Sequence, residues 1–319
     1  MKNYHTKKLG QPFWIIALTL LIFFFLFCMI LRPEKFIAQG LNGISAWAFN
    51  VLPSVFPFMF FTRVLSSLNI MSTLCRPFSG ISRVCFKTPS ISIYAFTMAI
   101  FSGYPVGTKT VADLFLQGKI TKEDAFKMTS FCSTSGPMFI VGAVGIAMFH
   151  SATIGYILFI SHVLGAIING IVFRNFKLKE NEKLSPQSEN AKNSSLDISD
   201  IVTNSTMAIL SVGAIITIFF IVIECFSPIL SLLPQNIAYL FEGVIEITKG
   251  CIDLATLPNK FLAVVLASFV VSFGGISTIL QSLTMLAKLK MPVKLFVLQK
   301  LLHGIFAMLI SILLALLIL

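Results

Sequence analysis

Long apolar runs separated by basic stretches dominate the hydrophobic pattern of this 319-residue chain. The first run, Phe13–Leu31, follows Lys2, Lys7 and Lys8. About 20 apolar residues suffice to cross the hydrocarbon core of a bilayer, so this run predicts a membrane helix. A signal peptide is the competing interpretation, but residues 31–34 offer no cleavage site of small residues. We therefore expect an uncleaved anchor helix with a cytoplasmic N-terminus.

The apolar segments that follow are interrupted. Residues 40–74 contain Pro53 and Pro57, and each proline removes a backbone donor, so a kinked or re-entrant segment is predicted instead of a straight helix. Residues 91–102 are apolar but too few to span a bilayer alone. They end at a Ser-Gly-Tyr-Pro-Val-Gly stretch, residues 102–107, which predicts a true break in the helix.

A polar stretch and a second break come next. Residues 108–128 are mixed and polar, and Thr121 followed three residues later by Asp124 has the pattern of a helix N-cap. Residues 131–149 are apolar but contain Ser-Gly-Pro at 135–137, which predicts another interrupted helix.

The pattern divides the chain into two membrane halves. Ala152–Phe173 is a clean span in which Ala166 and Gly170 could allow another helix to approach closely. Residues 174–200 form the one extended hydrophilic stretch and read as a flexible cytoplasmic linker. The predicted units are a tail and anchor (1–35), a first half (36–173), the linker (174–200) and a second half (201–319).

Composition agrees with a membrane location. Apolar residues make up 56% of the chain and charged residues 12%, about half the usual charged fraction, which excludes a soluble enzyme, a secreted disulfide scaffold and a disordered chain. The net charge of +11 is expected from Lys and Arg in cytoplasmic loops and not from nucleic-acid binding, because no basic polar domain exists. Six cysteines without a Cys-x-x-Cys pair and four scattered histidines predict neither a metal nor another cofactor.

The two halves align by eye as a repeat, which predicts an all-α polytopic helical bundle of two related, inverted halves with broken or re-entrant helices. Short, glycine- or proline-interrupted segments at matching positions of two halves indicate a transporter binding site, whereas the plainer interpretation is that the glycines serve close packing. The matched ranges are 44–65 with 202–224, 93–108 with 263–278, and 126–149 with 296–314.

Four motifs make the pattern specific: Phe-Ser-Gly-Tyr-Pro-Val-Gly-Thr-Lys at 101–109, Ser-Phe-Cys-Ser-Thr-Ser-Gly-Pro-Met-Phe-Ile-Val-Gly-Ala-Val-Gly at 130–145, Gly-x-x-Glu-Ile-Thr-x-Gly at 243–250, and Ser-Phe-Gly-Gly-Ile-Ser at 272–277. Together they resemble the YlbJ-type sporulation integral membrane proteins of endospore-forming bacteria, over most of the chain from about residue 40. That resemblance implies a nucleoside-recognition (Gate) domain, distantly similar to concentrative nucleoside transporters. It also implies a role in moving dipicolinate, a small aromatic dicarboxylate, across the outer forespore membrane.

Charged residues beside the breaks are the strongest candidates for a site. Lys109 follows the first break, and a buried cation there would suit a carboxylate, although a snorkelling lysine is the alternative. Glu246 is the stronger of the pair Glu242 and Glu246 for binding a proton, a cation or a substrate donor, and Tyr104 could stack on an aromatic ring. The full predicted substrate site is Ser102, Gly103, Tyr104, Pro105, Gly107, Lys109, Ser133, Thr134, Ser135, Gly136, Glu246, Thr248, Gly250, Ser272, Gly274, Gly275 and Ser277.

We therefore expect a transporter that moves a small polar or anionic solute by alternating access, with the lipid bilayer and a coupling ion (H⁺ or Na⁺) as further partners. Nucleoside transport is the chemical alternative, and a non-transporting scaffold of a sporulation complex is the alternative from another class. No motif of a hydrolase, metalloprotease or phosphate-binding enzyme is present, so catalysis is not expected. The sequence leaves a homo-oligomer open.

Overall fold

The computed structural model describes residues 13–67, 76–178 and 198–319, and within these ranges it is helical without strands. The first 12 residues and most of the expected linker, 179–197, lie outside the described residues. Five helices in the described ranges are long and apolar enough to cross a membrane. They are Pro33–Leu65, Ala152–Phe173, Ile198–Glu224, Lys260–Met285 and Val293–Ile318. The expected all-α polytopic membrane fold is confirmed.

The N-terminal helices are α1 (Phe13–Leu31), α2 (Pro33–Ser45) and α3 (Leu52–Ser67). A π-helical stretch, Ala46–Val51, joins α2 to α3, so the described part of this segment is one irregular helix. The irregularity stands immediately before Pro53, the first of the two prolines, which is where a missing backbone donor disturbs the hydrogen-bond ladder.

A helical hairpin follows, formed by α4 (Ser92–Ser102) and α5 (Val106–Leu116). The chain reverses between them, and this reversal brings Gly107 close to Ala99: a Cβ added to Gly107 would lie 2.5 Å from the Cβ of Ala99. Gly103 ends α4 with φ of 70° and ψ of −164°, a conformation that glycine adopts readily and other residues rarely do. We call this unit, residues 92–116, the first hairpin.

The second half contains a similar hairpin, formed by α9 (Gln235–Ile245) and α10 (Ile247–Ala255). A Cβ on Gly250 would lie 2.5 Å from the amide nitrogen of Gly243, so the two arms touch through glycines. We call residues 235–255 the second hairpin, and Glu246 forms its tip.

Two further helices are interrupted. The first interrupted helix consists of α6 (Lys122–Thr129), a non-helical stretch and the π-helical Met138–Met148. Thr121 and Asp124 form the capping box expected at its start. The second interrupted helix consists of α11 (Lys260–Phe273) and α12 (Gly275–Met285), which meet at Gly274.

Three long helices complete the bundle: α7 (Ala152–Phe173), α8 (Ile198–Glu224) and α13 (Val293–Ile318). Helices α7 and α13 are in close contact at Gly165, where a Cβ would lie 2.9 Å from the amide nitrogen of Ala307. Gly170 instead faces the rings of Phe86 and Phe131. Of the expected small-residue pair, Gly170 therefore packs against side-chain rings and not against another helix backbone.

Both halves present the same order of elements: a long helix, a hairpin, an interrupted helix and a long helix. This order corrects two of the three matched ranges, because 93–108 lies in a hairpin while 263–278 lies in an interrupted helix. Likewise, 126–149 lies in an interrupted helix but 296–314 in an uninterrupted one. A short apolar run ending in Ser-Gly describes a hairpin arm and a half-helix equally well, which explains the misalignment.

Candidate functional site

The interruptions of all four broken elements meet in the middle of the bundle. A Cβ on Gly103, at the tip of the first hairpin, would lie 2.7 Å from the amide nitrogen of Gly136 in the first interrupted helix. A Cβ on Gly274, in the second interrupted helix, would lie 3.1 Å from the hydroxyl of Tyr104. Backbone groups that a regular helix would pair are thereby gathered in one place.

The second hairpin joins the same meeting point. A Cβ on Gly275 would lie 3.2 Å from the carbonyl oxygen of Ile245 and 3.3 Å from that of Gly243, both on α9. Each of the two hairpin tips therefore touches a break in an interrupted helix, and the contacts run between the two halves as well as within them.

A cavity of about 80 Å³ lies between these breaks. Its wall is apolar toward α3 and α8 and polar where the breaks meet. The apolar part includes Val51, Val55, Phe58, Met59, Phe101, Met138, Phe139, Val212, Ile215, Ile216 and Ile247, and the polar part includes Ser102, Tyr104, Ser135, Glu246, Thr248, Ser277, Thr278 and Gln281. Such a mixture of apolar wall and a few convergent polar groups is typical of small-molecule sites.

The structure brings most of the expected site residues to this region. Those that line the cavity are Ser102, Gly103, Tyr104, Ser135, Gly136, Glu246, Thr248 and Ser277. Those that are buried or half-buried but do not line it are Pro105, Gly107, Ser133, Thr134, Gly250, Ser272, Gly274 and Gly275. Lys109 is the exception, because its side chain is exposed and does not line the cavity. The expectation of a buried cation at Lys109 is wrong.

Glu246 is the acidic group of the cavity. It is 2% exposed and caps α10, where its carboxylate accepts a hydrogen bond of 2.8 Å from the backbone N–H of Lys249. Glu242 points elsewhere, since it pairs with the ammonium of Lys249 at 3.5 Å, and Asp253 also pairs with that ammonium. Glu242 lies on α9, whereas Glu246 lies at the turn between α9 and α10, so the two glutamates do not share one helix face.

The buried cation of this region is Lys300 on α13, which the sequence analysis did not identify. Lys300 is 2% exposed, and its Nζ donates to the hydroxyl of Tyr104 and, at 2.7 Å, to the carbonyl oxygen of Ser133. The same nitrogen lies 3.3 Å from Nδ1 of His303. Lys300 therefore connects the tip of the first hairpin to the break in the first interrupted helix.

Two buried histidines extend this network. His162 on α7 accepts a 2.9 Å hydrogen bond at Nε2 from the backbone N–H of Ser135, so its Nδ1 carries the hydrogen and donates to the Ser272 hydroxyl at 2.8 Å. His303 bonds through Nε2 to the carbonyl oxygen of His162 at 2.9 Å. A carbonyl only accepts, so the hydrogen of His303 is on Nε2 and its Nδ1 is free to accept from Lys300.

Amide side chains support the rest of the first interrupted helix. Asn169 on α7 donates to the carbonyl oxygens of Ser130 at 2.7 Å and Gln299 at 2.9 Å. The side chain of Gln299 on α13 donates to the carbonyl oxygen of Phe126 at 2.8 Å and accepts from the Thr129 hydroxyl at 2.9 Å. Backbone groups in the protein interior need such partners, so α7 and α13 hold the break open at a defined geometry.

Three hydroxyls at the breaks remain unused. Ser133, Thr134 and Ser277 are buried, and their side-chain oxygens have no hydrogen-bond partner among the described residues. Ser277 also lines the cavity. An unpaired buried hydroxyl is costly, so these groups are available to a bound solute, an ion or water.

These features define a class: a polytopic helical membrane protein in which two hairpins and two interrupted helices enclose a central cavity. The chain is similar to the sporulation integral membrane protein YlbJ of Bacillus subtilis, with 28% identity over 326 aligned residues that cover 89% of this chain and 79% of that protein. No known family profile matches the sequence, and no solved structure matches it significantly. The expected resemblance to YlbJ-type sporulation membrane proteins is confirmed, whereas the nucleoside-recognition domain stays a prediction.

Proposed function

We propose that the protein is a transporter of a small polar or anionic solute. The observation that carries the proposal is the cavity between two hairpin tips and two helix breaks, lined by Tyr104, Glu246 and the unpaired hydroxyl of Ser277. Broken helices near the middle of a membrane bundle supply unpaired N–H and C=O groups, which are the groups that hold solutes and ions in secondary transporters.

The mechanism follows from the two halves, which we propose to be inverted repeats. Each half contributes one hairpin and one interrupted helix to the cavity, so movement of one half against the other would expose the site to opposite sides in turn. Glu246 is the proposed position for a coupling H⁺ or Na⁺, because its carboxylate is buried on the cavity wall. No enzymatic activity is proposed.

The proposed solute is dipicolinate, and the proposed location is the outer forespore membrane of a sporulating cell, with the N-terminus in the cytoplasm. Support comes from the similarity to a sporulation integral membrane protein and from the buried Lys300 behind Tyr104. The cavity's phenylalanines suit either an aromatic acid or a nucleobase, so nucleoside transport remains the chemical alternative.

The test is a binding and flux panel. Purified protein in detergent is heated with dipicolinate, uridine, adenosine or citrate, and the same solutes are followed into liposomes that contain the protein. We expect dipicolinate to raise the melting temperature and to accumulate faster than in protein-free liposomes. The absence of any solute-dependent shift or flux would reject the transporter and favour the scaffold.

A further inference from the structure

We propose that Lys300 is the fixed cation that makes the cavity select carboxylate-bearing solutes, and that it acts through the hydroxyl of Tyr104. This inference rests on the proposed function and specifies its substrate class. Lys300 is a positioning residue in this account, since it does not line the cavity itself. The contact that reaches the solute is Tyr104, which does line it.

Among the described residues, the ammonium of Lys300 has only neutral partners. An ammonium has three donors, and here they meet the Tyr104 hydroxyl, the Ser133 carbonyl oxygen and Nδ1 of His303. The ion pairs in the described ranges involve Lys127 and Lys249, not Lys300. Burial without a counter-ion disfavours the charged form of a lysine, so a carboxylate in the adjacent cavity would stabilise the ammonium form of Lys300.

Tyr104 is arranged to transmit that charge. Its oxygen accepts from Lys300, so the phenolic hydrogen must be directed to a different acceptor. The Lys300 nitrogen also lies 4.8 Å from the centre of the Tyr104 ring. A hydroxyl polarised by an ammonium is a stronger donor, and hydrogen bonds to an anionic oxygen gain most from this.

An unpaired hydroxyl provides a further donor on the cavity wall. Ser277 is 2% exposed, lines the cavity and has no partner among the described residues, whereas the unpaired Ser133 and Thr134 do not line it. A carboxylate is an acceptor only, so it would satisfy the hydroxyls of Tyr104 and Ser277 together. A neutral nucleoside would not use the positive charge.

The acidic group that lines the cavity, Glu246, belongs to the second hairpin. Glu246 lines the wall from the second hairpin, and the neighbouring Lys249 is already paired with Glu242 and Asp253. The carboxylate of a solute is therefore expected at the Tyr104 side of the cavity, with a coupling cation at Glu246.

The alternative is that Lys300 only supports the Ser133 carbonyl. A supporting role would lower flux of every solute alike, whereas selection by charge would change the ratio between acids and neutral solutes. The experiment therefore measures flux of dipicolinate, picolinate and uridine into liposomes for the wild type, Lys300→Met, Tyr104→Phe and the control Lys294→Met, an exposed lysine on the same helix. Monodispersity and melting temperature are recorded for each.

We expect Lys300→Met and Tyr104→Phe to lower the flux of both acids at least tenfold relative to the flux of uridine. If the wild type does not carry uridine, the acid flux of each variant is compared with that of Lys294→Met. Equal acid flux in the wild type and a folded Lys300→Met would overturn the inference, and so would a wild type that carries uridine but no acid. If Lys300→Met fails to fold, Tyr104→Phe decides by the same criterion. A wild type that carries none of the solutes rejects the proposed function as a whole.

Discussion

Gly103 and Gly136 are in direct backbone contact, although they belong to different elements and are 33 residues apart in the sequence: a Cβ on Gly103 would lie 2.7 Å from the amide nitrogen of Gly136. The tip of the first hairpin is thus seated in the break of the first interrupted helix. This contact fixes the polar end of the cavity, because the neighbouring Tyr104 and Ser135 both line it.

Replacing Gly103 with alanine should therefore destabilise the protein. The added methyl group meets backbone that cannot move aside easily, and the φ of 70° is unfavourable for alanine. We expect a cost of roughly 1–3 kcal/mol from overpacking and backbone strain. Thermal unfolding in detergent measures it against Gly80→Ala, where the new methyl group meets nothing within 4 Å. Equal melting temperatures for the two variants would contradict the packing described.

Asn169 supports the first interrupted helix, and replacing it should lower the free energy of unfolding. Asn169→Ala leaves the carbonyl oxygens of Ser130 and Gln299 without this donor, at a cost of about 1–3 kcal/mol per buried group. The control is Asn175→Ala, because the exposed side chain of Asn175 accepts a hydrogen bond from the ammonium of Lys87 and supports no helix break in the described ranges. A reversed order of melting temperatures would show that the break is held by other contacts.

Glu246 combines a structural and a proposed transport role, and two substitutions separate them. Glu246→Gln retains an oxygen that can accept from Lys249, so the cap of α10 should survive, whereas Glu246→Ala should cost about 0.5–2 kcal/mol of stability. If the charge binds a coupling cation, both variants lose at least tenfold in dipicolinate flux. Wild-type flux in Glu246→Gln would exclude that role.

The linker offers a test between transporter and scaffold. Deleting residues 180–193 removes none of the residues that line the cavity, so a transporter should retain dipicolinate flux and support spore formation. A scaffold that binds partners through this stretch should lose spore formation while its membrane helices remain folded. Heat-resistant spore counts and liposome flux, measured on the same variant, distinguish the two.

Local features of the fold could be predicted from the sequence, and tertiary ones could not. The Thr121–Asp124 cap depends on residues three apart and was predicted correctly. The first hairpin was not, because a Ser-Gly ending does not reveal whether the chain continues or reverses. Its reversal is visible in the contact of Gly107 with Ala99.

The same limit applies to the site. Most of its polar lining residues lie near the breaks, and glycine and proline mark breaks in the sequence. Lys300 and His303 lie on a largely apolar helix, far in sequence from Tyr104 and His162, so their role depends on how α13 packs. The sequence does contain a signal for them. Gln299, Lys300 and His303 stand at i, i+1 and i+4 inside an apolar span, where polar groups are costly.

The central claim is that solute passes through the cavity at the four breaks, and filling that cavity tests it most directly. Ser277→Phe places a ring at the buried cavity wall, and Leu280→Phe places the same ring on the exposed face of the same helix. Uptake of labelled dipicolinate into liposomes is measured for the wild type and both variants. The account predicts uptake by the wild type and Leu280→Phe and at least a tenfold loss in Ser277→Phe. Equal uptake by all three, or none above protein-free liposomes, would contradict it.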